Sequence, residues 1–586
     1  MRALSLLLLV AACGPRTRGV AAPRFAARRA EAPACATGLR LDYRVEGPAG
    51  PWRWEVLRRG ARYVERRTPL VQGRSQDARA LVLGRTEEGA AFVRVGAGPA
   101  RPAGDLLRAQ IATRASLFGG ALACDAGAGW RRRGAEYFYR PPEGQTLAFL
   151  LAHPGALPEA WDHTDLAGRL QVCESLEWRG PVPAGGTCRS THSFDRRVRP
   201  RALETRFALE VVQRTRQDPP WARRGPVAEP LEGTHAVPLP DPLRPSVRVA
   251  FGDGPPLELL VDTGAPFTVL DARAARRAGV ARYGDVPLYA DPPWLPAGER
   301  EVAVADRVAL GALTLPAMAL WVQDGLGAAL GEADGLLGLD VLRHLLLDVD
   351  APAGELRFHA PDAFEPRGAR PDATLRDFGG RHRVRVPGAV AGVGEGSFIV
   401  DTGATLAAAV DAPGMRTAYP RRDATPVPRA FSERPGAVDH AVRLRGLRLG
   451  PYPFPATEAW ARYEVRDRFD GRGLGLVGMG TLRFFRVVVD ARAGEVHLWE
   501  SDAYRVLRRY GVEIGEEEGR VVLRRVERGP LSAARLRGGE VLRAIEGLPV
   551  RDAAQARRLL LGVRGGRVHL RVGLPWGEAE VVAASR

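Results

Sequence analysis

Two stretches of this chain repeat each other. Leu260-Val261-Asp262-Thr263-Gly264-Ala265 in the first returns as Ile399-Val400-Asp401-Thr402-Gly403-Ala404 in the second. Downstream, Asp334-Gly335-Leu336-Leu337-Gly338-Leu339 returns as Leu474-Gly475-Leu476-Val477-Gly478-Met479. From the motif Asp to the second Gly the distance is 338 − 262 = 76 in one copy and 478 − 401 = 77 in the other. Both copies close alike, on Asp350-Ala351-Pro352-Ala353-Gly354-Glu355-Leu356 and Asp490-Ala491-Arg492-Ala493-Gly494-Glu495-Val496, the Gly standing where a tight turn would join two strands. The offset between copies is 401 − 262 = 139 at the aspartates and 490 − 350 = 140 at the close. Three matched points at near-constant spacing imply a duplicated β lobe.

The residue types in the motif belong to one chemistry. An apolar strand delivers Asp to a turn in which Thr and Gly follow directly. Gly allows the turn that presents the carboxylate with its neighbours' N–H groups pointing inward. Thr263 and Thr402 can each hydrogen-bond across to the opposite loop and hold the two in register. Two such loops about a pseudo-twofold axis bring two carboxyls so close that both cannot ionise. They share a proton, one acting as base toward water and the other as acid toward a carbonyl. A lone Asp-Thr-Gly is usually only a turn, with the Asp bonded to its own backbone. The doubling separates this chain from that case. Such a site needs neither metal nor cofactor.

Each copy resembles the retropepsin-like aspartic peptidases: apolar-Asp-Thr-Gly-Ala, then apolar-apolar-Gly on a buttressing strand. With both copies in one chain, the resemblance implies a pepsin-like, two-lobed monomer over roughly 235–500. It implies catalytic roles for Asp262 and Asp401. Thr263 and Thr402 become the grip between loops, Gly264 and Gly403 the turn, and Gly338 and Gly478 the buttress. Two departures stand. A flap Tyr has no clear position, because Tyr289 and Trp294 lie among Pro292, Pro293 and Pro296. The second motif runs into Thr405-Leu406-Ala407-Ala408-Ala409, blander than Pro266-Phe267-Thr268-Val269-Leu270 in the first.

The formal charge of +17 invites a nucleic-acid reading. However, the 85 basic residues are all Arg, with Lys and Asn both absent, as in a GC-rich coding sequence. They are interleaved with 68 acidic residues and form no single stripe, so a solvated mixed surface is expected and no nucleic-acid partner. At the start, Met1-Arg2 is followed by the apolar run Ala3–Val10 and then Ala11-Ala12-Cys13, which reads as a signal too short to span a bilayer. The Cys resembles the lipobox of bacterial lipoproteins, implying acylation of Cys13 and a membrane anchor. The alternative is an ordinary signal in which Cys13 is incidental. Cys35, Cys124, Cys173 and Cys188 all lie before residue 190, and this even number in an exported chain is expected to form two disulfides. Cys173 with Cys188 is the local pair, leaving Cys35 with Cys124; four free thiols are the other possibility. Their spacing fits no zinc pattern.

Short alternating runs, Leu39–Val45, Trp52–Leu57, Ala91–Val95 and Phe207–Val212, separated by turn-rich stretches, predict a β-rich N-terminal domain with one helix near 105–118. It offers no catalytic constellation; its closing stretch, 194–205, faintly resembles the sheet of periplasmic lipoprotein carriers. Beyond Glu500 the pattern changes. Tyr510-Gly511-Val512, a strand at Arg520–Val526, Leu536-Arg537-Gly538-Gly539-Glu540, Gly547-Leu548-Pro549-Val550 and a helical stretch Ala553–Leu561 resemble the PDZ domains of bacterial envelope proteases. That resemblance implies that Tyr510, Gly511 and Val512 offer N–H groups to a peptide's terminal carboxylate, the peptide adding as an edge strand. The alternative is a module that only packs against the peptidase.

The fold class expected is therefore mostly β: duplicated aspartic-peptidase lobes, a β-rich domain before them and a PDZ-like α+β domain after. The divisions are 1–12 signal, 13–33 lipidated Cys and tether, 34–216 N-terminal domain, 217–234 linker, 235–365 and 366–500 the lobes, and 501–586 the PDZ-like domain. The expected function is an envelope-anchored aspartic endopeptidase, monomeric, on the periplasmic face of a membrane. Its partners are peptide or protein substrates and, through the PDZ-like domain, protein C-termini. Two other readings are a non-catalytic peptide-binding scaffold and a lipoprotein-handling factor.

Overall fold

The computed structural model describes residues 38–584 apart from 116–129, 140–146, 152–157, 165–169, 191–202, 216–218, 220–231, 284–299, 365–370, 377–382, 429–437, 464–472 and gaps of one to four residues elsewhere. The signal, Cys13, the tether, Cys35, Cys124, Tyr289, Trp294 and nearly all of the 217–234 linker lie outside the described residues. The chain is mostly β. It gathers into two compact units, Met1–Leu231 with Arg248–Leu259 and Pro266–Leu336, and Glu232–Val247 with Leu260–Ala265 and Leu337–Arg586.

In the first unit a fourteen-stranded antiparallel sheet holds the N-terminal residues. Neighbours follow chain order on either side of one long-range pairing, Gly38–Gly47 with Leu203–Thr215. Alternation puts Tyr43, Trp54, Trp161 and Phe207 inside, their rings within 6.3 Å of a neighbouring ring of the set. Among them lies Glu65, fully buried. It accepts from Trp54 Nε1 at 2.9 Å, Tyr63 Oη at 2.8 Å and Arg67 Nη2 at 2.9 Å. Burying a carboxylate is tolerable because it has these donors. Cys173 and Cys188 face each other in register and are disulfide-bonded. Of the helix expected over 105–118, residues 108, 111, 112 and 115 are described and are helical.

The repeat is a repeat of strands. One nine-stranded sheet runs in the order Ala281–Tyr283, Arg300–Ala305, Met318–Gln323, Val269–Asp271, Gly335–Leu337, Leu257–Val261, Ser246–Phe251, Val308–Leu310, Leu313–Leu315. The other runs Thr425–Pro428, Val438–Leu444, Thr457–Ala461, Ala408–Val410, Gly473–Gly478, Gly394–Asp401, Arg385–Val390, Leu447–Leu449, Tyr452–Phe454. Position for position the two orders are the same in the chain. The parallel pairings agree too: Val269–Asp271 beside Met318–Gln323, and Ala408–Val410 beside Thr457–Ala461.

A six-stranded sheet in the second unit ties the closing hairpins together. Its order is Thr234–Pro238, Glu355–His359, Leu346–Asp350, Phe485–Asp490, Glu495–Glu500, Ala373–Arg376. Gly354 and Gly494, both at φ 70°, make the hairpin turns in the left-handed region where only Gly is free of strain. At the middle Asp348 faces Val488, with Leu347 opposite Val489 and Val349 opposite Val487. Since 488 − 348 = 140, each of the two central residues faces its own counterpart in the repeat, so the pseudo-twofold axis passes between them.

Residues 502–584 form a helix, Asp502–Tyr510, and a six-stranded sheet with the helix Ala553–Gly562. Ser501 caps the first helix by accepting from Tyr504 N at 3.2 Å, and Gly511 ends it at φ 69°. Its apolar side buries Tyr504, Val506, Leu507 and Tyr510. Tyr504 lies within 5.5 Å of the rings of Tyr452, Phe454 and Phe485, and its hydroxyl donates to Pro453 O at 3.0 Å.

Candidate active site

Strands Leu257–Val261 and Gly394–Asp401 bring the two motif turns together. Each turn is anchored behind by its own copy's downstream Gly strand: Asp262 N donates to Leu337 O at 3.0 Å and Leu339 N to Ala265 O at 2.8 Å. In the second copy Met479 N donates to Ala404 O at 2.7 Å. Gly338 and Gly478 stand just ahead of short helices, Leu339–Leu342 and Met479–Leu482. A Cβ on Gly478 would come within 2.5 Å of Ala404 O, so only Gly lets the buttress close on the turn.

The two threonines, both wholly buried, lock the turns with four reciprocal hydrogen bonds. Thr263 Oγ1 donates to Val400 O at 2.7 Å and accepts from Thr402 N at 3.1 Å. Thr402 Oγ1 donates to Val261 O at 2.7 Å and accepts from Thr263 N at 3.1 Å. No hydroxyl or amide is left over in the exchange, which keeps two polar side chains tolerable in a dry interior.

Above this lock the carboxyls meet. A Cβ on Gly264 would lie 2.5 Å from Asp401 Oδ2, and one on Gly403 2.6 Å from Asp262 Oδ2, so each carboxyl rests directly on the opposite turn's glycine. Asp262 Oδ1 accepts from Gly264 N at 2.8 Å and Ala265 N at 2.9 Å. Burial pushes Asp262 well above the ordinary carboxyl range; the charge of Asp401 adds to this, and the amides of Ala265 and Gly264 oppose it. Burial raises Asp401 as well. The hydrogen bond with Asp262, the Arg383 guanidinium and the amides of Ala404 and Gly403 all pull it back. The pair therefore holds one proton over a range where separate carboxyls would both be ionised.

Arg383 was not among the residues singled out in the sequence. A signal existed: Arg244 holds the same place in the first copy, 383 − 244 = 139.

The residues expected to grip a peptide carboxylate are arranged otherwise. Tyr510 is fully buried, its hydroxyl on Leu560 O at 2.9 Å, and Gly511 N donates to Leu507 O at 2.8 Å as the helix cap. Val512, also buried, opens the strand Val512–Glu517 at the end of its sheet. Among the described residues no group of three His, Cys, Asp or Glu is placed to hold a metal ion, and no helix among them is long and apolar enough to cross a membrane.

No curated protein matches the chain. The model of the family described as Aspartyl protease matches residues 247–341, which carry Asp262, its Thr-Gly turn and the Gly338 buttress, so this stretch is an aspartyl-protease-like domain.

Proposed function

We propose that the chain is an aspartic endopeptidase in which Asp262 and Asp401 together activate water. The observation that carries this reading is the pair of carboxyls resting on each other's turn glycines above the reciprocal threonine lock. A carboxyl pair holding one proton offers a base to take a proton from water and an acid to protonate the peptide carbonyl. The Aspartyl protease match to the first copy points to the same reaction class. The second copy supplies what a one-copy chain takes from a partner, which supports a monomer.

The address in the first residues supports export, a lipid on Cys13 and a position on the periplasmic face of an envelope membrane. At the other end, the strand Val512–Glu517 at its sheet's edge, beside the helix Ala553–Gly562, supports a PDZ-like site for protein C-termini. Capture of the carboxylate there relies on groups other than the Gly511 amide.

The test is cleavage of a randomised peptide library by the chain from residue 34 onward, across acid to neutral pH, beside Asp262→Asn and Asp401→Asn. Cutting by the wild type that disappears in both variants is the expected result. A wild type that cuts nothing at any pH would remove the peptidase reading, and activity surviving in either variant would remove the shared pair.

A further inference from the structure

The carboxyl pair sits in a nearly symmetric frame, yet its two halves are not treated alike. The strand Arg385–Val390 runs antiparallel to Gly394–Asp401, with Arg385 opposite Ile399. One more bond, Val400 N to Val384 O at 2.9 Å, continues that register, and the next step sets Arg383 opposite Asp401 itself. The first copy repeats the arrangement: Val261 N donates to Pro245 O at 2.8 Å, and Arg244 falls opposite Asp262. The difference is burial. Arg244 is exposed, whereas Arg383 is half-buried. A guanidinium withdrawn from water acts on a nearby carboxylate through a lower dielectric than one at the surface.

We infer that Arg383 breaks the symmetry of the pair, holding Asp401 as the ionised base and leaving the shared proton on Asp262. This rests on the peptidase reading for its chemistry, though not for its electrostatics. Both carboxyls are raised, Asp262 the further: Arg383 is among the groups that lower Asp401, while those acting on Asp262 are burial, Asp401 and the amides of Ala265 and Gly264. Other charged groups on the elements behind the turns have partners. The buried Asp340 accepts from Val341 N at 2.9 Å, and Arg343 Nε donates to Leu339 O at 3.1 Å. Arg483 pairs with Glu513 at 2.8 Å. Arg385, two residues along the same strand, is half-buried as well.

The roles in the reaction then follow. As the water oxygen bonds to the peptide carbon, its proton passes to Asp401, and the carbonyl oxygen takes the proton of Asp262. The gem-diol collapses when the C–N bond breaks: nitrogen takes the proton from Asp401, and one diol hydroxyl returns a proton to Asp262. Both carboxyls end in their starting states. Arg383 acts on the proton through the Asp401 carboxyl and is a positioning residue.

The experiment uses the full chain in two readouts. The first is the pH profile of kcat/KM on a fluorogenic peptide drawn from library cleavage, for wild type, Arg383→Gln, Arg383→Lys and Arg244→Gln. Arg383→Gln is expected to move the acid limb up by about one pH unit, an opposite charge near a carboxyl being worth about that much or more. Arg383→Lys should restore most of the shift, and Arg244→Gln should move the limb far less. An acid limb unmoved in Arg383→Gln, or moved equally by Arg244→Gln, overturns the inference. The second readout needs no turnover: a carboxyl ¹³C NMR titration of aspartate-labelled protein, assigned with Asp262→Asn and Asp401→Asn. Asp401 should ionise before Asp262 in the wild type, with the gap narrowing in Arg383→Gln. If that order holds while no peptide is cut, the peptidase reading falls and the role of Arg383 stands. An order that is absent, or unchanged by the substitution, removes the role whatever the kinetics show.

Discussion

At the scale of single residues, the site trades stability for chemistry. Asp262 is 9% exposed and its carboxyl is held well above its ordinary range by burial and by Asp401. A folded-state pKa raised above the unfolded value contributes stability below that unfolded value, and the contribution is lost as pH rises through the folded one. At neutral pH the second carboxyl of the pair is therefore a strain on the fold. Asp262→Asn should abolish turnover and yet melt at the same temperature as the wild type or higher at pH 7, with the difference vanishing near pH 4. A variant that melts clearly lower at pH 7 would mean that the carboxylate is a structural hydrogen-bond acceptor first, serving Gly264 N and Ala265 N. Much of this site was legible in the sequence, since a motif found twice at one offset needs few other clues. Arg383 was passed over, because in a chain whose 85 basic residues are all Arg one more arginine stands out little. Its match to Arg244 at the repeat offset was the one signal, and the strand register gives that match its meaning.

At the scale of elements, alternation located strands well and their ends less well. Ala91–Val95 and Arg520–Val526 are strands within the bounds that the pattern implies, whereas Leu39–Val45 extends to Gly38–Gly47 and Phe207–Val212 to Leu203–Thr215. Long antiparallel neighbours carry the ladder past the apolar residues that announced it. Buried charge was hidden for the opposite reason: residue type alone marks Glu65 and Arg67 as polar, and their partners make them interior residues. The helix Asp502–Tyr510 was not among the expected elements, although Ala503, Val506, Leu507 and Tyr510 recur at helical spacing between the caps Ser501 and Gly511. Tyr504 in that helix is wholly buried against Tyr452, Phe454 and Phe485. Tyr504→Ala removes that ring packing and the bond to Pro453 O, and by the cost of large-to-small core changes should destabilise by about 3–5 kcal/mol. Limited proteolysis should then release a fragment beginning near residue 501. A variant as resistant as the wild type would show that the C-terminal residues are held by other contacts.

At the scale of the molecule, the six-stranded sheet is where the two copies are bonded strand to strand. Asp348, fully buried at its centre, receives Arg486 at 2.9 and 3.0 Å and Arg357 at 3.3 Å, with His359 Nε2 at 3.5 Å. Burial raises its pKa, but hydrogen bonds from His359 and Arg486 and the charges of Arg486 and Arg357 outweigh it and bring the carboxyl down to about 2. A depressed carboxyl contributes stability above its unfolded pKa and loses it as pH falls toward the folded one, here between about 4 and 2, worth on the order of 2 kcal/mol. Thermal unfolding of the wild type should therefore weaken over that window, and Asp348→Asn should flatten the dependence while costing about 3 kcal/mol at pH 7 by removing the buried carboxylate that Arg486 and Arg357 share. An unchanged pH slope in the variant would assign acid sensitivity to other carboxyls. The axis position has one more consequence. Two identical subunits meeting strand to strand on a twofold would set the same amino acid against itself at this point, and an aspartate would then confront an aspartate. Joining both halves in one polypeptide lifts that rule: Asp348 faces Val488, and Arg486 answers it from a place where the first half has Leu346. Covalent linkage gave each half leave to mutate alone, and so let a mirrored pair of carboxyls acquire a left hand and a right.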